Sequence, residues 1–368
     1  MVATENFRNV GVPVTTPDAP QGPFDQTTDP QSLHQRASML CLHAKFPEAR
    51  AMYEDLVAMM ETTYGPEHPQ VAIALDDLAP VLLALGDFSL ARSTAERALK
   101  INETALGPHH AKVANSLLHL VRVLIEQNEL VASQSMLERA LEINIASFGP
   151  DCTEVAVIWC ALASVFKHQR KYSAARGLLE RALAYFQAAF GLQHRHVAET
   201  LNLLGEVVVE DQGDLIAARR YFEQALIIYE ASLVSNHTIV AATLFNLAYV
   251  MQGQEEIDAA QAMNQRALSI TEAALGPNHP TVALGLNNLA DLMRQKGEHA
   301  EAKALLRRAR TIHEATHGKA HPHTATVKAN IRRFDRVKAC NVCGIRDVKL
   351  QLCSKCTLKY YCSAKCQV

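Results

Sequence analysis

The sequence predicts an all-α solenoid of stacked helix pairs, followed by a small cysteine-rich segment. Two periodic markers support this fold class. Link motifs that match or resemble GPxHP begin at Gly65, Gly107, Gly149, Gly191, Val234, Gly276 and Gly318, in steps of 42, 42, 42, 43, 42 and 42 residues. An alanine in RAL or its variants keeps the same spacing at positions 98, 140, 182, 225, 267 and 309. Both markers absorb the single extra residue in the same repeat, so an internal repeat sets the fold.

The chain before the first repeat has the composition of an unstructured tail. The first 30 residues contain five prolines and no apolar run, and they lack the basic and apolar regions of a signal peptide. We therefore expect residues 1–31 to be disordered and the protein not to be secreted. The formal charge of −2 predicts no general attraction to nucleic acid or to a membrane surface. No stretch reaches the roughly 18 apolar residues of a membrane span.

Each repeat reads as two helices that are separated by a turn. In the unit 279–318, Leu286, Leu289 and Met293 lie on one apolar helical face, and Gly297 marks the turn. One such pair cannot bury its apolar face alone, so neighbouring pairs must stack. Pro80 falls inside the first helix of its unit, where we expect it to kink the helix.

The links also place a histidine in nearly every repeat. These are His68, His110, His194, His237, His279 and His321, with Cys152 at the same position in one unit. Packed helices lie roughly 8–10 Å apart, whereas zinc-binding nitrogens lie within about 2.1 Å of one ion. We therefore expect the histidines to form capping and interhelical hydrogen bonds and not a metal site.

The repeat resembles the long tetratricopeptide repeat of kinesin light chains. The resemblance rests on the stretches TLNLLG, TLFNLA and GLNNLA, on the turn glycines and on the GPxHP links. It covers residues 32–318, or about seven units with a degenerate first one, and residues 319–339 read as a capping helix. The resemblance implies a right-handed superhelix in which the first helix of each pair lines a concave, peptide-binding groove.

Polar residues beside the apolar face of these first helices are the candidate groove residues. Asparagine amides both donate and accept hydrogen bonds, so they can pair with the backbone of an extended peptide. The candidates on successive first helices are Asn202, Glu206, Phe245, Tyr249, Asn287, Asp291 and Arg294. The alternative is a helix face that is merely solvated.

Six of the nine cysteines fall in residues 340–368, with the spacing C-x2-C-x9-C-x2-C-x5-C-x3-C. Paired CxxC thiolates are typical zinc (Zn2+) ligands, and the isolated Cys41, Cys152 and Cys160 suit a reducing compartment. Disulfides and a redox CxxC are the alternatives, but no thioredoxin-like strand–helix frame surrounds the motif. We expect bound zinc and a cytoplasmic location, with the nucleus as the alternative compartment.

The cysteine spacing is similar to that of the MYND zinc finger, which binds two zinc ions. The resemblance implies a first site made of Cys340, Cys343, Cys362 and Cys366, and it leaves Cys353 and Cys356 as half of the second. The family's other two ligands would follow Val368, so we expect an incomplete finger in a chain that is either truncated or naturally short. MYND fingers bind proline-containing peptides with a glutamine and a tryptophan, of which this sequence has Gln367 alone.

These patterns predict a non-enzymatic scaffold or adaptor that binds extended peptide segments of other proteins. A kinesin-light-chain-like cargo adaptor is the alternative within this class. The alternative from the class of enzymes is a fragment of a MYND-containing lysine methyltransferase. The repeats, however, leave no room for the catalytic SET domain of such an enzyme. The sequence also contains no P-loop, GxGxxG, GxSxG or HExxH motif. The third alternative is a regulator that binds nucleic acid through the basic residues near the C-terminal end of the sequence. Apart from Tyr360 and Tyr361, however, no stacking aromatic residues are interleaved with these basic residues.

Overall fold

The computed structural model describes residues 29–232, 237–316, 322–335, 351–352 and 360–361. These residues form fifteen helices and two strands: α1 Pro30–Leu42, α2 Phe46–Tyr64, α3 Pro69–Ala84, α4 Phe88–Leu106, α5 Ala111–Glu126, α6 Leu130–Phe148, α7 Thr153–His168, α8 Tyr172–Phe190, α9 Arg195–Gln212, α10 Leu215–Ser232, α11 Thr238–Gly253, α12 Ile257–Leu275, α13 Pro280–Gln295, α14 His299–Thr316, α15 Pro322–Asp335, β1 Gln351–Leu352 and β2 Tyr360–Tyr361. The strands pair antiparallel, with Gln351 opposite Tyr361. Both lie in the cysteine-rich segment, so the described repeats are helical throughout, as predicted.

The first helix begins earlier than the sequence predicts. Pro30 and Gln31 belong to α1, although the predicted tail extended to residue 31. The Asp29 carboxylate caps α1 by accepting a hydrogen bond from the Ser32 N–H at 3.2 Å. Proline is favourable at the first helical position because no intrahelical N–H is needed there, so Pro30 starts the helix. Residues 1–28 lie outside the described residues.

Two compact units divide the chain, Met1–Gly285 and Leu286–Val368. In the first unit each helix packs on the next from α1 to α12. The odd-numbered helices α3, α5, α7 and α9 also touch one another in succession. The odd-numbered helices are therefore more closely spaced than the even-numbered ones, and the repeats bend toward them. We call the side of the odd-numbered helices that faces away from the even-numbered helices the inner face of the first unit.

The periodic alanines mark the closest helix packing. Ala98, Ala140, Ala182, Ala225, Ala267 and Ala309 are all completely buried. A methyl group is the largest side chain that fits where two helix backbones approach, and a larger one would force the backbones apart. The alanines that mark the repeat in the sequence are therefore buried between helices in the six repeats that contain them.

Arginines on the second helices link neighbouring repeats at the surface. The Arg92 guanidinium contacts Glu129 at 2.6 Å, and Arg219 contacts Glu256 at 2.8 Å. A second set joins Arg97 to Glu61, Arg139 to Glu103 and Arg266 to Glu230, each at 2.6 Å. These groups are about one-third to one-half exposed, so each pair contributes little to stability. They recur at equivalent positions of several repeats.

The helix α3 continues through Pro80 and ends four residues later, at Ala84. Pro80 is buried among the apolar residues of that helix. The proline therefore does not end the helix, although it removes one backbone hydrogen-bond donor. None of the helices in the described part of the chain is long and apolar enough to cross a membrane.

Gly205 provides a sharp test of the packing between α9 and α10. A Cβ atom at this position would lie 2.6 Å from Cε1 of Phe222, whose side chain is fully buried. We expect Gly205→Ala to lower the free energy of unfolding by about 1–3 kcal/mol through overpacking. Gly177, in the exposed middle of α8, has nothing within 4 Å of the same added atom. Gly177→Ala should raise stability by about 0.5–1 kcal/mol. Urea denaturation measures both, and equal effects would contradict the close contact.

Candidate functional site

A buried polar network lies across three inner helices of the first unit. Lys167 on α7 donates to the Glu206 carboxylate on α9 at 2.5 Å. Asn202, one turn before Glu206, donates to the same carboxylate at 3.1 Å, and Asn246 on α11 donates to it at 3.3 Å. The amide of Asn246 also lies 3.5 Å from the Asn202 carbonyl oxygen. One carboxylate thus ties three consecutive repeats together.

The burial of this network distinguishes it from the surface ion pairs. Lys167 and Glu206 have side-chain exposures of only 2% and 8%, and Asn202 and Asn246 are also buried. A buried charge is tolerated when it has an opposite charge and additional hydrogen bonds. Glu206 has both, since it accepts from one ammonium and two amides. The network is therefore a preorganised set of donors and acceptors on the inner face.

The sequence predicted Asn202 and Glu206 as candidate residues, and the structure brings these two together with Lys167. Asn246 was not among the candidates, although it follows Phe245 directly in TLFNLA and corresponds to the second asparagine of GLNNLA. The candidate was placed one residue too early on α11. Since neighbouring helical positions differ by about 100° in direction, a shift of one residue changes which side chain reaches the network.

Phe245 lies in the apolar core and not on an open groove, which differs from the prediction. Its side chain is 6% exposed and belongs to the cluster formed by α7 to α12. An added Cβ on Gly285 would lie 2.7 Å from the Phe245 Cζ, so the phenyl ring packs directly against the backbone of α13. Tyr249, one turn later, is partly buried.

The remaining groove candidates belong to the second unit and pair locally. Asn330 of α15 donates to the Asn287 side-chain oxygen at 2.8 Å. The Arg294 guanidinium contacts the Asp291 carboxylate at 2.7 Å, with both side chains about 40% exposed. An exposed pair of this kind is screened by water and contributes little to stability. Asp291 and Arg294 remain accessible in this unit.

The predicted capping role of the link histidines is confirmed wherever their links are described. In each case the histidine Nδ1 accepts a hydrogen bond from the backbone N–H two residues later, at 3.2–3.3 Å. The histidines with this bond are His68, His110, His194, His237 and His279. Such an acceptor satisfies one of the free N–H groups of a helix N-terminus. Cys152 makes no such side-chain bond at the start of α7. His321 lies outside the described residues.

Acidic residues at the N-terminal end of the inner face have partners of their own. The hydroxyl of Ser116 donates to the Asp76 carboxylate at 2.8 Å and accepts from the Asn102 amide at 2.9 Å. Burial raises the pKa of Asp76 to about 8, against the opposing hydrogen bond from Ser116. The neighbouring Asp77 contacts His34 of α1 at 3.2 Å, and this hydrogen bond raises the pKa of His34.

The predicted zinc ligands lie outside the described residues: Cys340, Cys343, Cys353, Cys356, Cys362 and Cys366. The strands β1 and β2 fall between the first two of these cysteines and the last two. Within the described part of the chain, no group of three or more histidine, cysteine or acidic residues is arranged to hold a metal ion. Cys41, Cys152 and Cys160 are free thiols.

Comparison with solved structures shows similarity to proteins built from helical repeats. RapI in its apo form has a TM-score of 0.51 at 15% identity, covering 83% of this chain and 99% of RapI. A chain of the APC/C hetero-tetramer Cut9–Hcn1 has a TM-score of 0.52 at 15% identity, covering 82% of this chain and 55% of that one. BtubC from P. vanneervenii has a TM-score of 0.45 at 23% identity, covering 67% of this chain and 93% of BtubC. At these identities the similarity shows the fold alone.

The family comparison is more specific. No curated protein matches the sequence. The profile of the family described as Tetratricopeptide repeat, however, matches residues 29–104, 81–146, 154–231, 196–273 and 239–315. The matches cover well over half of the chain and span the described helices from α1 to α14. The chain therefore belongs to the tetratricopeptide repeat family, whose repeats serve as protein–protein interaction scaffolds.

Proposed function

We propose that this protein is an adaptor that binds an extended peptide segment of a partner protein along the inner face of its first unit. The observation that carries this proposal is the network of Lys167, Glu206, Asn202 and Asn246. It joins amide, ammonium and carboxylate groups from three successive repeats in one hydrogen-bond network. An extended peptide presents backbone N–H and C=O groups in a linear array.

The chemistry of the network matches what a peptide backbone requires. An asparagine side chain offers one acceptor and two donor hydrogens, so Asn202 and Asn246 can each exchange a bond within the network for a bond to a peptide group. Such an exchange keeps buried polar groups paired, which avoids a penalty of about 1–3 kcal/mol for each group left unpaired.

The test begins with a phage-displayed random-peptide library selected on the purified full chain. We expect selected peptides to bind the wild type and to lose about tenfold in affinity with the double variant Asn202→Ala, Asn246→Ala, since each truncation removes a hydrogen-bonding amide of the network. Isothermal titration calorimetry measures the affinities. Asn115→Ala, at an exposed position of α5, is the matched control.

Far-UV circular dichroism must show that the double variant keeps its helices. Unchanged affinity would mean that the two asparagines have no role in binding. Failure to select any peptide on the wild type would contradict the proposed function itself.

We further propose that the terminal cysteines bind zinc in a MYND-like finger. The donor set fits this ion, because four soft thiolates complete a tetrahedral site and the three free thiols elsewhere are typical of a reducing compartment such as the cytoplasm. Cys340, Cys343, Cys362 and Cys366 would hold the ion, which in so short a segment supplies the folding free energy. Cys353 and Cys356 offer two ligands only.

Metal analysis of the purified chain tests the zinc proposal. We expect one tightly held zinc per chain, and Cys362→Ser should lose it while the repeats stay helical. Cys152→Ser, which changes a thiol of the repeat region, should keep the zinc. Chelation should likewise leave the far-UV helical signal of the repeats intact. Two tightly held ions would show that another residue completes the second site, and none would remove the zinc proposal.

A further inference from the structure

The first helix pair contacts a link that lies far away in the sequence. The side chain of His237, the N-cap of α11, lies beside the Cys41 backbone carbonyl near the end of α1. Its Nδ1 atom is already used, because it accepts from the Ile239 N–H at 3.2 Å. The Phe46 ring at the start of α2 lies edge-on to the His237 ring, with centroids 6.5 Å apart. His237 alone among the capping histidines is buried, and this contact explains why.

The contact extends to the next link of the first unit. Ala274 and Leu275, at the end of α12, pack against the apolar cluster that α1 to α4 form. A Cβ atom added to Gly86, in the turn between α3 and α4, would lie 3.7 Å from His279 Nε2 and 3.7 Å from Pro280 Cγ. Two consecutive links therefore face the first two helix pairs, and the repeats between them form a closed turn.

This contact is much smaller than the contacts between neighbouring repeats. Neighbouring helices bury complete apolar faces, whereas here one histidine lies beside a backbone carbonyl, one aromatic edge meets its ring and a few apolar side chains pack together. Proteins open locally where few apolar contacts hold an element. Separation of α1 and α2 from the start of α11 and from the described α12–α13 link is therefore the opening that leaves every repeat intact.

The closed turn also limits access to the inner face. Every residue from Thr238 to Ala248 in α11 is buried, although a surface helix normally buries only one stripe. Asn246 and the network around Glu206 are buried in this arrangement. A peptide can reach these amides only if the inner helices move apart, which a fixed closing contact resists.

We propose that α1 and α2 form a latch that holds the first unit in a closed turn, and that release of this latch admits the peptide partner to the inner face. The admission of the peptide rests on the proposed function, whereas the latch itself does not. The contact between His237 and Cys41 is the part that one substitution can remove without removing a helix cap.

His237→Asn separates the two roles of the histidine. Asparagine is a favourable N-cap, so its side-chain oxygen replaces Nδ1 as the acceptor of the Ile239 N–H. Its shorter side chain does not extend to the Cys41 carbonyl. The matched control is His110→Asn, since His110 makes the same cap to Lys112 with an exposed ring. A variant effect seen at His237 but not at His110 therefore reports on the latch.

The readout for the latch is the native Cys41 thiol, which is 3% exposed in the closed turn. Its alkylation rate in the full chain is followed peptide by peptide with mass spectrometry, so other cysteines do not interfere. We expect His237→Asn to accelerate alkylation by about two- to tenfold, the size of effect that the loss of one buried polar contact has, and His110→Asn to leave the rate unchanged. Equal rates in all three proteins would overturn the latch.

The second readout is the capture of peptides from a phage-displayed random library. We expect His237→Asn to bind the selected peptides several-fold more tightly than the wild type or His110→Asn. Faster Cys41 alkylation without tighter peptide binding would overturn the gating role. If no protein captured peptides while Cys41 alkylation still differed, the proposed function would fail and the latch would stand.

Discussion

Replacing Lys167 with methionine should lower the free energy of unfolding by about 3–5 kcal/mol, because the change leaves the Glu206 carboxylate buried without its cation. The two groups lie 2.5 Å apart with side-chain exposures of 2% and 8%. Methionine preserves much of the lysine's apolar stem, so lost packing contributes little. Asn202 and Asn246 continue to donate to the carboxylate, but neutral amides do not replace the charge. Urea denaturation followed by circular dichroism measures the loss.

A second substitution distinguishes this cause from a general packing defect. Adding Glu206→Gln to Lys167→Met removes the unpaired charge, so the double variant should recover most of the lost stability. Arg176→Met is the matched control, because Arg176 pairs with Glu180 at 2.8 Å where both side chains are about half exposed. This control should change stability by about 0.5 kcal/mol or less. A Lys167→Met effect no larger than that of Arg176→Met would contradict the buried pair.

The fold could be predicted from the sequence because its determinants are local and repeated. Most links contain a glycine that ends one helix and a histidine that begins the next, and Gly107 and His110 show both roles within four residues. The backbone of Gly107 has a φ of 88°, in the left-handed region, which glycine adopts without a steric penalty. The same short pattern recurs in the described repeats, so the helix boundaries follow from it.

The state of the inner face could not be predicted in the same way. Helical periodicity shows which residues share a face, but not how closely the faces of successive helices approach. Asn202 and Glu206 were expected to line an open groove, and the curvature of the first unit brings them instead into a buried network with Lys167. Likewise, no local pattern links Cys41 to His237, since that contact depends on the turn accumulated over the intervening repeats.

Acidification should weaken the first unit through His237. Burial, together with the positive charge of Arg195, lowers the pKa of His237 to about 4, while the nearby Cys41 carbonyl acts in the opposite direction. An unfolded histidine has a pKa near 6.5. Above that pH the ring is neutral in both states, so its full contribution to stability is present. As the pH falls from about 6.5 toward 4, the unfolded chain binds a proton that the folded chain does not, and stability is lost.

The difference between wild type and His237→Asn isolates this effect from other titrating groups. At pH 4.5 the wild type should lose about 2.5 kcal/mol through His237 relative to pH 8, whereas the asparagine variant lacks this loss. The buried Asp76, whose pKa is raised to about 8, changes stability in the opposite sense in both proteins and cancels in the comparison. Urea denaturation at the two pH values gives the difference. His110→Asn, which changes an exposed cap, should lose as much stability between the two pH values as the wild type. If His237→Asn also loses as much as the wild type, His237 is not held neutral by its burial against α1 and α2.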